Sequence, residues 1–113
     1  MSDDAIEKWA TSQRELAAEF GKAQGQRDYL EEFKKSKLAI LMKKYESQGF
    51  SSAAAQEREA RADDEYIKLI GGLQVAVENA ERIRWELKTN ETAIEIWRTR
   101  QASRRAEQKG YGA

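Results

Sequence analysis

From Ala62 to Trp97 apolar residues recur at alternating steps of four and three: Ala62, Tyr66, Leu69, Leu73, Ala76, Ala80, Ile83, Leu87, Asn90, Ile94 and Trp97. That spacing keeps one stripe on a single face of an α-helix. Only Asn90 breaks the apolar run, and a polar Asn in such a stripe is a device that fixes register. A stripe this long demands another helix to pack against. The chain has no proline and 35 % charged residues, the profile of long helices. At 113 residues it reads as one domain, residues 1–113.

Three helical stretches are expected. Ser2 suits an N-cap, with Asp3 and Asp4 in the first turn where the helix dipole favours negative charge. The first helix runs from about 3 to 45, with Ile6, Trp9, Leu16, Phe20, Ala23, Leu30, Phe33, Leu38, Leu41 and Tyr45 as its apolar positions and a slip after Leu30. Ser47-Gln48-Gly49-Phe50-Ser51-Ser52 is a turn. Gly49 suits the left-handed helix end, and Ser51 or Ser52 the next cap. The second helix runs from about 53 to 88. Lys88-Thr89-Asn90-Glu91-Thr92 is poor in helix formers, and Thr92-Ala93-Ile94-Glu95 reads as a capping box. A kink is expected there, then a third helix from about 93 to 108. Gly110-Tyr111-Gly112-Ala113 should fray.

A short turn between long helices makes them antiparallel neighbours. If Tyr45 lies beside Ser52, residue n of the first helix faces residue 97 − n of the second. Gly25 then falls opposite Gly72, Gly21 opposite Ala76 and Ala17 opposite Ala80. The glycines fit a close helix approach at a narrow waist, or a hinge at Gly71-Gly72. Leu16 falls near Ile83 and Trp9 near Leu87. The expected fold class is all-α: a long antiparallel helical hairpin with a third, C-terminal helix. Ile67, Ile70, Val77, Trp85 and Ile96 lie largely off the stripe. A two-helix hairpin buries one stripe per helix, so these residues predict a homo-oligomer interface.

Several functions are thinned out. With no His and no Cys, the commonest proton shuttle, the thiol nucleophile and the soft metal ligands are missing. No Gly-rich phosphate loop or spaced carboxylate motif is present. No enzyme activity, catalytic residue, metal or cofactor is expected. Ser2-Asp3-Asp4 is unlike a signal peptide, and no apolar run approaches the ~20 residues that span a bilayer. The expectation is a cytoplasmic protein with no membrane partner.

Net charge is zero, but its distribution is uneven. Residues 3–19 carry net −3, 27–44 net +3, 57–65 net −3 and 98–109 net +4. Lys34, Lys35, Lys37, Lys43 and Lys44 form one basic block, and it could simply pair with the acidic start of the second helix. Arg98, Arg100, Arg104 and Arg105 form another, beside Trp97. Guanidinium groups grip phosphates and an indole offers a base a stacking face. Trp97 is also on the stripe, and so could be core.

Two blocks resemble the UvsY-type recombination mediators of T-even phages: Lys34-Lys35-Ser36-Lys37-Leu38-Ala39-Ile40-Leu41-Met42-Lys43-Lys44-Tyr45, and Leu87-Lys88 through Ala93-Ile94 to Trp97-Arg98. The resemblance implies an all-helical, ring-like oligomer that binds single-stranded DNA. It implies help in loading a recombinase onto strands coated with single-strand-binding protein. The family's basic patch maps onto Lys34, Lys35, Lys37, Lys43 and Lys44. The rival expectation is a helical adaptor, scaffold or phage inhibitor that binds protein only.

Overall fold

A computed structural model describes the backbone from residue 3 to 111 and the side chains from 4 to 110. The fold is all-α: α1 spans Asp3–Ser47, α2 Ala53–Ala62 and α3 Asp64–Tyr111. The expected cap at Ser2, the side chain of Asp3, and Gly112-Ala113 lie outside the described residues. Helix continues through Gly110 to Tyr111, where fraying was expected. No helix among the described residues is long and apolar enough to cross a membrane.

The chain forms two compact units: residues 22–80, here the turn unit, and residues up to 21 with those from 81 on, here the terminal unit. α1 and α3 contribute to both.

In the turn unit, α1 ends as its sequence directs. Gly49 takes φ 101°. The Phe50 amide donates to the Tyr45 carbonyl and the Gly49 amide to the Glu46 carbonyl, both at 3.1 Å. This is the Schellman pattern, and its usual apolar contact is the edge-on meeting of Phe50 with Tyr45, centroids 5.8 Å apart. Ser52 then caps α2, its hydroxyl accepting from the Ala55 amide at 3.1 Å.

The break in the second helical stretch falls at Asp63, not at Lys88–Thr92. Asp63 has extended backbone (φ −68°, ψ 137°) and its amide still donates to Ala60 at 3.2 Å. Its carbonyl accepts from Ile67 and its carboxylate from the Glu65 amide at 2.8 Å. One residue therefore ends α2 and caps α3. The segment expected to kink stays helical because its polar side chains are satisfied without breaking the ladder. Thr89 and Thr92 hydroxyls each donate to the carbonyl four residues back at 2.9 Å. The Asn90 amide donates to the Trp9 carbonyl and to Gln13 Oε1, both at 2.9 Å.

The expected register shifts for the same reason. Lys37 should have faced residue 60; it pairs with Glu65 at 3.0 Å. Asp63 lies against Lys44 and Tyr45, so α2 does not run straight back along α1. The antiparallel return begins at α3. In the turn unit Leu41, Ala60 and Tyr66 form a buried cluster, with Leu38, Met42 and Tyr45 packed on it.

The stripe itself holds from Tyr66 to Trp97: every member is buried or half-buried. Ala62 is exposed, and Asp63 is buried in its place. α1 shows no slip after Leu30. Its inward positions continue through Lys34 and Lys37, both half-buried, while Phe33 turns outward. Lysine stems are apolar enough to fill a seam while the ammonium reaches its edge. The narrow waist is not found. A Cβ added at Gly21, Gly25, Gly71 or Gly72 would meet nothing within 4 Å, so these glycines face away from the helix contact.

Candidate nucleic-acid interface

The first basic block lies in the turn unit and is largely engaged. Lys34 is half-buried. Lys35 pairs with Glu32 at 3.0 Å, Lys37 with Glu65, and Lys44 with Asp63 at 3.2 Å. Lys43 alone of the five is exposed with no ion pair among the described residues. The electrostatics centre on Asp63. A 2.6 Å hydrogen bond from the Tyr45 hydroxyl, then the Glu65 amide, hold its carboxyl down at about 2. Their own hydrogen bonds to Asp63 raise the Lys44 ammonium and the Tyr45 phenol in turn. Lys44, Tyr45 and Asp63 serve the fold of the turn, while Lys35 and Lys43 remain exposed.

The second block belongs to the terminal unit and is differently placed. Trp97 is half-buried, and its ring nitrogen is buried with no hydrogen-bond partner among the described residues. That fits the core reading better than a stacking face. Arg98 pairs with Glu95 at 2.9 Å. Arg100 borders a shallow depression with Glu91, Glu95 and Ile96. Arg105 makes a 3.4 Å contact to the Gln101 carbonyl, and Arg104 is exposed. Every residue from Ala102 to Gly110 is exposed. The end of α3 is thus a solvated basic rod.

Of the residues expected at an oligomer interface, Ile67, Ile70, Trp85 and Ile96 are exposed, and Val77 is half-buried. Tyr29, Phe33, Ile40 and Val75, not among the expected interface residues, are also exposed. Tyr29 and Phe33 stack with centroids 6.0 Å apart. Their four-residue spacing off the main stripe was the signal, obscured by placing Phe33 inside it.

The terminal unit also holds an open groove of about 600 Å³. Trp9, Ser12 and Leu16 of α1 form one wall, and Trp85, Thr89 and Ala93 of α3 the other. Lys88 Nζ sits 4.8 Å and the Arg84 guanidinium carbon 5.3 Å from the Trp85 ring centroid. Arg84 is also paired with Glu81 at 2.8 Å. Among the described residues no cluster of three or more His, Cys, Asp or Glu could hold a metal ion.

No family model, curated protein or solved structure matches this chain.

Proposed function

We propose that this protein is an oligomeric accessory factor that binds single-stranded DNA without sequence preference and assists recombinase loading. The observation that carries the DNA-binding part is the exposed end of α3, with five bases against one acid from Arg98 to Lys109. Cations that are not committed to carboxylates can exchange counterions for phosphates. The weight therefore moves from the lysine block to Arg100, Arg104 and Arg105, with Arg98 joining once it leaves Glu95. Self-association would place several such rods on one strand, so that individually weak contacts add as avidity. Exposed Ile67 and Ile70, beside Val77, supply apolar surface for it. Recombinase loading rests on the resemblance of the two blocks to UvsY-type mediators.

A protein-only helical adaptor is the second reading. The pairs Lys37–Glu65 and Lys44–Asp63 favour it, because they give part of the basic character a structural use. Fluorescence anisotropy of labelled oligo-dT, titrated from low to high salt, separates the two. DNA binding predicts affinity that falls steeply with salt. An intact oligomer that binds no oligo-dT at low salt leaves only the adaptor.

A further inference from the structure

We infer that Trp85 is a stacking platform for an unpaired nucleobase, with Lys88 and Arg84 drawing the flanking phosphates; this rests on the DNA-binding reading above. Trp85 is 57 % exposed and sits off the stripe, between Ile83 and Leu87. Helix packing in the terminal unit therefore does not require it.

Its surroundings select the kind of partner. Lys88 Nζ and the Arg84 guanidinium carbon lie over the ring, 4.8 and 5.3 Å from its centroid, so a stacking base displaces these flexible side chains from the ring toward its own phosphates. An aromatic face with adjacent cations is the arrangement that holds single strands irrespective of sequence, because every base has a π-face and every nucleotide a phosphate. A second protein chain fits less well. Burying Trp85 against it would also desolvate Lys88, which is bound to no carboxylate among the described residues. A phosphate answers that charge. Arg84 is already held by Glu81, so Lys88 is the leading phosphate contact. The ring also borders the open groove whose far wall is Trp9, Ser12 and Leu16. A base leaving the stack has room there beside the indole.

The test uses the full chain at low salt with short oligo-dT, reading anisotropy, intrinsic tryptophan emission and sedimentation mass. Oligo-dT should quench the emission. Trp85→Leu should remove most of that quench and weaken binding roughly 5- to 150-fold, the range for one lost stacked base. Trp85→Tyr keeps a ring and should retain most of the affinity. Both variants should keep the parent's mass. Trp85→Leu binding as tightly as the parent overturns the stacking role alone. So does loss of mass in both variants, which would make Trp85 an assembly contact. A parent that binds no oligo-dT overturns the DNA-binding reading, and this inference with it.

Discussion

The Tyr45 hydroxyl donates a 2.6 Å hydrogen bond to Oδ2 of Asp63, which also accepts from Lys44 at 3.2 Å. This one carboxylate ties the end of α1 to the start of α3 while its other oxygen caps α3. Its folded pKa of about 2 lies below the ordinary 3.8. A depressed carboxyl contributes stability that is full above its unfolded pKa and is lost as pH falls through the folded value. Thermal melts followed by helical circular dichroism should therefore drop in midpoint from about pH 4 toward pH 2. Tyr45→Phe should lower the midpoint at pH 7 and shrink the acid-induced drop. An unchanged acid profile in that variant would show that Asp63 does not depend on Tyr45.

Gly21, Gly25, Gly71 and Gly72 lie within helices, and each faces open space. Alanine at each should stabilise the protein by about 0.5–1 kcal/mol, because glycine loses more backbone entropy in a helix. Urea midpoints for the single variants and for a Gly21→Ala/Gly25→Ala pair measure this. A lower midpoint together with loss of oligomer mass would mean that the glycines admit a neighbouring helix.

Asn90 makes two hydrogen bonds to α1, to Trp9 and Gln13. Asn90→Ala should cost about 1 kcal/mol, the net worth of half-buried hydrogen bonds, with helix content unchanged. Urea denaturation reports the cost. A large fall in ellipticity would mean that Asn90 is what keeps residues 88–92 helical.

Replacing Arg98, Arg100, Arg104 and Arg105 together by alanine should weaken oligo-dT binding across all sequences. The slope of log affinity against log salt should become shallower by up to about 3, at roughly 0.7 per phosphate contact for single strands. Sedimentation mass should not change. A parent-like slope would place the phosphate contacts elsewhere, and a fall in mass would make the arginines structural.

Much of the fold is written in local signals. The stripe from Tyr66 to Trp97, the Gly49 helix end and the Ser52 cap are each set by neighbours a few residues away, so spacing reveals them. Phe33 and Lys34 show where that logic stops. Apolarity favours Phe33 as the inward residue, yet the helix phase set by Leu30 and Leu41 turns it outward and draws the Lys34 stem in. A basic residue counted as a ligand site from sequence thus became part of the seam.

The sequence alone determined that the chain is helical, that it turns at Gly49, and which face of α3 turns inward, because a 3.6-residue period and glycine's tolerance of positive φ are local properties. Only tertiary structure decided that the second helix breaks at Asp63 rather than near Asn90. Both are polar residues in a helical run. Asp63 meets a phenol and an ammonium that reward extended backbone, whereas Asn90 finds its acceptors on α1 without leaving the helix. Partners more than fifteen residues away made that choice, and they also decided which lysines remain available to a phosphate.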